Sequence, residues 1–175
     1  MAKSAAIQSR QRIGQHPMIF VTIGTTMPFD ELLTEIDRLA DNGTINEDLI
    51  CQTGQSRYRM RHGEQFIGRP TIADLIEQAS LVISHGGATV IQLLIAQKQF
   101  IAFPNPRGAG DHQTSFLREI ALVSDISWGA NVTDLARLID ERRRQGPAMI
   151  RADFPRAGDL IRDMIGNRRA SSMTV

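Results

Sequence analysis

Three short stretches combine residue types and spacing that could do chemistry, and each closes an apolar run. In "SHGGAT", Ser84 to Thr89, Gly86 and Gly87 stand between the run "LVIS" and a helix-like segment. Two glycines remove Cβ atoms where the free amides of a helix N-terminus point outward. Those amides and the helix dipole favour an anion such as a pyrophosphate. His85 and Thr89 could add side-chain donors. The same Gly-Gly pair also serves as a tight turn in any α/β fold. Neither the G-x-G-x-x-G dinucleotide fingerprint nor the G-K-[ST] of a P-loop occurs, which argues against those two nucleotide folds. In "GTTMPFD", Gly24 permits close backbone approach, and Thr25 and Thr26 bring hydroxyls to a helix start; a capped βα turn has the same composition. In "FPNPRGAGDHQ", Asp111 reads as a helix cap or, with Gln113, as a pair of groups able to hold sugar hydroxyls. His112 stands apart from any set of metal ligands, so no metal site is expected.

These stretches need elements to hold them. "MIFVTIG", Met18 to Gly24, is a nearly unbroken, β-branched run that reads as a strand buried on both faces. Pro28 suits the first turn of a helix over "FDELLTEIDRLAD", whose Phe29, Leu32, Leu33, Ile36 and Leu39 form one stripe, with Asn42-Gly43 as the stop. "DLICQTG" and "QFIG" read as short strands, followed by Pro70 and a helix "TIADLIEQA" capped by Thr71. Strand "SLVIS", helix "ATVIQLLIAQ", strand "FIAFP" and helix "DHQTSFLREIA" come next. "ALVSDIS" holds a last short strand, and "TDLARLIDERRR" is a helix with Asn131 or Thr133 as its cap. The alternation predicts one α/β domain, an open parallel sheet with helices on both faces, over residues 18–150. A flexible basic leader is expected over residues 1–17, where Lys3, Arg10 and Arg12 precede the first acid, Asp30. Residues 151–175 are expected to form a C-terminal helix and tail, with Leu160, Ile161, Met164 and Ile165 on one face. That face could pack back on the sheet or cover a partner.

Composition narrows the function. At 175 residues, 42% hydrophobic and 22% charged, the chain suits a single globular domain. A formal net charge of +1 and 5% aromatic residues give no pull toward nucleic acid. Cys51 is the only cysteine, and its place inside "EDLICQTG" makes it a buried strand residue rather than a nucleophile. No apolar run reaches the ~20 residues of a membrane span, and the N-terminus lacks the apolar core of a secretory signal. A cytoplasmic location follows as the expectation.

Together, "MIFVTIGTTMPFDELLTEID", "SHGGATVIQ" and "FPNPRGAGDHQ" resemble the nucleotide-sugar-binding half of GT-B glycosyltransferases, of the family 28 C-terminal domain type. The resemblance runs from about Met18 to Arg144. It is strongest to the small cytosolic subunits of two-subunit transferases acting on polyprenyl-diphosphate-linked sugars. These include the soluble subunit of the dolichol-linked N-acetylglucosaminyltransferase and bacterial exopolysaccharide glucuronosyltransferase subunits.

The resemblance implies a Rossmann-like domain in which His85, Gly86 and Gly87 face the donor diphosphate and Thr89 lies beside it. Asp111 and Gln113 would contact the transferred sugar, while Gly24 and Thr25 would line the cleft facing a second domain. It departs from the family at Gln92, which stands where a ribose-binding Glu is usual, and in a loop before Thr89 that is one residue shorter. The implied function is the donor-binding subunit of an inverting UDP-sugar transferase, with UDP-glucuronate leading among donors. It would extend a lipid-diphosphate-linked saccharide in exopolysaccharide biosynthesis and need neither metal nor cofactor. Its partner would be a membrane-associated, acceptor-binding subunit, which would hold the chain at the inner membrane face. The chain alone would be inactive, and no catalytic base can be named in it; His16 and His62 read as exposed loop residues. A nucleotide-sugar hydrolase or epimerase is a rival, and a non-catalytic regulatory or assembly subunit keeping the fold is the alternative.

Overall fold

The computed structural model describes residues 17–108 and 111–150. Six parallel strands form one sheet: β1 (Met18–Thr22), β2 (Asp48–Gln52), β3 (Glu64–Phe66), β4 (Leu81–His85), β5 (Phe100–Phe103) and β6 (Ser127–Trp128). Their order across the sheet is β3-β2-β1-β4-β5-β6. Five helices cover it: α1 (Asp30–Asp41), α2 (Ala73–Gln78), α3 (Thr89–Ile95), α4 (His112–Val123) and α5 (Leu135–Gln145). The expected Rossmann-like architecture is the one found.

The unbroken apolar runs have a direct cause in the packing. Strand residues alternate between faces, and here each face carries helices, so every position needs an apolar side chain. Ile19, Val21, Cys51, Ile83 and Phe103 join α1 and α5 in one core. Phe20, Ile50, Val82 and Phe100 join α2, α3 and α4 in the other. β1 is central, with Val21 level with Cys51 on one side and Ile83 on the other. Cys51 is fully buried, and burial pushes its thiol pKa up to about 12, which keeps it an inert core residue.

Several boundaries differ from the sequence reading. Helix α1 begins after Pro28, with the buried Phe29 at its N-cap. β3 stops at Phe66, so Ile67 and Gly68 belong to the loop above it. The N-cap of α2 is Ile72 rather than Thr71, although the Thr71 hydroxyl just ahead of it accepts the Ala73 N–H at 3.2 Å. Neither Asn131 nor Thr133 caps α5 with its side chain, because a 3-10 turn, Val132–Asp134, leads into that helix instead. His62 does not stand free on its loop. It joins Tyr58 and Arg61 in tying the strap after β2 to Asp37, a carboxylate of α1 with no exposed side-chain surface. Burial pushes the Asp37 pKa up, but the donors from Arg61, Tyr58 and His62 outweigh it and hold the carboxyl below its ordinary value.

The expected leader, His16 and the Leu160–Ile165 face lie outside the described residues. Among the described residues no helix is long and apolar enough to cross a membrane.

Candidate functional site

Strand order reverses between β1 and β4, and in open parallel sheets ligands bind at the carboxyl ends of the strands beside such a reversal. Gly24, just past β1, and His85, the last residue of β4, meet there. Gly24 has φ +79°, a left-handed conformation that favours glycine. It also makes room for the imidazole: a Cβ at this position would stand 3.1 Å from His85 Cε1. From the other side, a Cβ at Gly87 would overlap His85 Nε2. The ring therefore lies between two glycines. Its Nδ1 faces the Thr22 carbonyl oxygen at 3.4 Å and donates to it, which leaves Nε2 as the acceptor in the gap. Burial lowers the His85 pKa below 6.5, with the Thr22 hydrogen bond opposing, so the free protein holds a neutral ring at pH 7.

The glycine pair does less by its own amides than its sequence suggests. The Gly86 N–H donates to the Phe103 carbonyl at 2.7 Å and the Gly87 N–H to the His85 carbonyl at 2.8 Å, so both are engaged. Val90 and Ile91 N–H groups reach the Gly87 and Ala88 carbonyls. The amides left for a ligand at this turn are those of Ala88 and Thr89. Gly86 is small for a packing reason, since a Cβ there would lie 2.8 Å from Leu117 Cδ1 on α4. Gly87 is small because the imidazole needs the space.

Two open grooves flank this turn. One, about 540 Å³, runs between α2 and α3 and is lined by Gln52, Arg69, Pro70, Ile72, Thr89 and Gln92 among others. Thr89 and Gln92 are neighbours on α3, three residues apart, and both side chains are open to this groove. The other, about 470 Å³, lies above β5 and β6, with Phe29, Glu31, Asn105, Asp111, Gln113 and Asn131 in its walls. Asp111 occupies the N-cap of α4, yet its carboxylate makes no capping bond and stands exposed in the groove. Gln113 has a bracing role: its Oε1 accepts the Asn105 N–H at 2.8 Å, and Asn105 in turn holds the Pro28 carbonyl at 3.1 Å. Among the described residues its amide NH2 has no acceptor.

Of the nine residues singled out in the sequence, Gly24, His85, Gly86 and Gly87 thus converge at the switch point. Thr89 and Gln92 share one groove, while Asp111 and Gln113 share the other. Thr25 sits exposed at the loop tip, its methyl against Gly68. Gln52, Arg69 and Asn105 were missed. The first carried a signal, a polar residue closing the apolar run "DLICQ".

The sequence profile of the glycosyltransferase family 28 C-terminal domain matches residues 18–123. No curated protein sequence matches the chain. Among solved structures, MurG of Acinetobacter baumannii is similar, at 16% identity and a TM-score of 0.56, over 78% of this chain and 45% of that one. The glycotransferase of kitacinnamycin is also similar, at 17% identity and a TM-score of 0.41, over 74% of this chain and 38% of that one. The chain therefore spans less than half the length of either protein. At these identities the likeness to MurG concerns the fold, which is the one described above.

Proposed function

The chain belongs to the glycosyltransferase family 28 C-terminal domain family, and we propose that it binds the donor of an inverting UDP-sugar glycosyltransferase. One observation carries this reading. The turn holding His85, Ala88 and Thr89 lies between two grooves, and side chains next to it line each of them. A nucleoside diphosphate sugar is an extended ligand with a charged middle, and this edge has that layout. In this reading the uridine lies between α2 and α3 with Gln92 against the ribose. The diphosphate crosses the turn, and the sugar reaches Asp111 and Gln113. Gln92, as a neutral amide, is a weaker acceptor for ribose hydroxyls than a carboxylate would be.

Transfer would proceed by attack of an acceptor hydroxyl on the anomeric carbon, from the face opposite the diphosphate. The bond from that carbon to the diphosphate oxygen breaks, the configuration inverts, and a base on the acceptor side takes the hydroxyl proton. Negative charge then gathers on the leaving diphosphate, where the Ala88 and Thr89 amides stand ready as donors and His85 becomes one on taking up a proton at Nε2. Reaction also needs the acceptor held in line, within reach of a base. The described residues supply one wall of such a cleft. A membrane-associated, acceptor-binding partner would supply the other, placing the chain at the inner membrane face with a lipid-diphosphate-linked saccharide as acceptor. The chain would then be inactive alone. Glucuronate leads among donor sugars for an exopolysaccharide role, and Arg107, which donates to Glu31 of the groove wall at 3.1 Å, is the cation we assign to its carboxylate. Gln92 also favours a second reading, a regulatory or assembly subunit with a weakened donor site.

Copurification from the native host, followed by UDP titration and transfer assays on lipid-linked acceptor, tests the proposal. A complex that binds UDP and transfers sugar, with neither part active alone, is the expected result. A copurified complex that binds no UDP would leave the regulatory reading.

A further inference from the structure

Gln52 closes β2 on the face covered by α2 and α3, and only 4% of it is exposed. Its Oε1 accepts the Thr22 hydroxyl at 2.6 Å, and the Thr22 oxygen in turn faces the Gly24 N–H at 3.4 Å. That bond turns the amide oxygen toward β1 and the NH2 away from it. Among the described residues the NH2 has no acceptor, yet no buried side-chain nitrogen or oxygen lacks a partner there. The NH2 must therefore reach open space, and the groove between α2 and α3 is the space Gln52 lines. Gly68 lies above it: a Cβ at that position would come within 3.8 Å of Nε2 and 3.2 Å of the Thr25 methyl carbon. A side chain there would begin to cover the amide, and glycine leaves it open. The result is an oriented donor on the floor of a groove, held by its own oxygen and idle in the free protein.

The walls indicate what it meets. Pro70, Ile72 and Ala96 offer apolar surface, while Thr89 and Gln92 offer polar groups on the α3 side. Apolar walls with polar groups on one side suit a flat heteroaromatic ring whose edge opposite the glycosidic bond enters first. We propose that Gln52 selects the base of the donor nucleotide, its amide donating to the ring carbonyl that uracil carries opposite the glycosidic bond. This rests on the donor-binding reading above. Cytosine presents an amine at that position, so two donors would meet and both would stay unpaired.

Calorimetric titration of the full chain with UDP and with CDP tests this in three proteins. The unsubstituted protein should favour UDP by at least about tenfold. Gln52→Glu keeps an acceptor for the Thr22 hydroxyl while replacing the donor by an acceptor, and should abolish or reverse that preference. The pair Thr22→Val with Gln52→Met removes both polar partners and should bind the two nucleotides about equally; it carries the test alone if Gln52→Glu does not fold. A purely structural Gln52 would weaken both nucleotides alike, and an unchanged UDP-to-CDP ratio in the variants therefore overturns the proposal. So does equal binding of UDP and CDP by the unsubstituted protein. Binding of neither nucleotide by the unsubstituted protein, alone or with its copurified partner, would instead overturn the donor-binding reading itself.

Discussion

Replacing His85 by Gln should flatten the pH dependence of UDP binding, because the imidazole must take up a proton to serve an anion. In the free protein Nδ1 donates to the Thr22 carbonyl and Nε2 presents a lone pair to the gap beside Gly87. A lone pair repels phosphate oxygens, whereas an imidazolium N–H donates to them. Burial holds the free-state pKa below 6.5, and no ionised side chain among the described residues offsets it. A bound diphosphate would raise it. A hydrogen bond to a charged group contributes roughly 1.5–3 kcal/mol, which corresponds to a rise of about one to two pKa units. The direction follows from linkage: the complex holds more protons than the free protein, so affinity must grow as pH falls. Growth begins near the complex's pKa and levels off below the free protein's. Relative to His85→Gln, whose own profile carries the titration of the terminal phosphate, the UDP Kd should fall as pH drops from about 8.5, reaching about ten- to hundredfold once pH lies below the free protein's pKa.

Calorimetry near pH 7 in two buffers of different protonation heat would read the proton uptake directly. Equal heats in both buffers, with parallel pH profiles for the two proteins, would refute the argument. Stability gives a check without ligand. A His whose folded pKa is depressed leaves the unfolded chain holding more protons once pH drops toward 6.5, so folding weakens as pH falls through that range. The thermal midpoint of the unliganded protein should fall there, less so in His85→Gln, and saturating UDP should restore it.

Gly87→Ala should displace the His85 ring, lowering UDP affinity about as much as His85→Ala; a double-mutant cycle by calorimetry should find the two losses strongly non-additive. Gln92→Ala should lose roughly 0.5–1.5 kcal/mol of UDP binding and Gln92→Glu should bind at least as well as the parent, with identical titrations for all three placing the ribose elsewhere. Arg107→Ala should depress transfer from UDP-glucuronate by the copurified complex while sparing UDP-glucose, measured as the ratio of kcat/KM values. Asp37→Ala should cost roughly 1–3 kcal/mol in denaturant unfolding, since it strands the donors of the strap; because the Asp37 pKa is depressed, the pH-linked part of that contribution should be fully present above pH 3.8 and be lost as pH falls through the lower folded-state pKa.

The fold was legible because a sheet covered on both faces writes itself into composition. "IFVT", "LVIS" and "FIAF" each need apolar residues at every position, a pattern that helices and half-exposed strands do not share. What stayed hidden depended on partners distant in the chain. Nothing near "SRYRMRHG" announces that Tyr58, Arg61 and His62 converge on Asp37, more than twenty residues earlier, so His62 reads as an exposed loop residue. Likewise Asn131 and Thr133 have capping chemistry, but the chain enters α5 through a 3-10 turn that leaves their side chains without a capping role.

The glycine pair shows most clearly where sequence reading stops. Gly-Gly between a strand and a helix signals a turn that no side chain may enter, and that much was correct. Sequence does not say what enters instead. At Gly86 it is Leu117, from a helix thirty-one residues later, and at Gly87 it is the ring of His85, two residues earlier. Nor does it show which amides are engaged, because the Gly86 N–H is taken by Phe103 on the neighbouring strand. If the same turn binds diphosphate, anion recognition moves one step along the chain, to Ala88, Thr89 and an imidazole that the glycines hold in place. The glycines then act on the ligand through His85, which is why a pH profile, rather than a simple loss of affinity, is the measurement that separates a phosphate cradle from a tight turn.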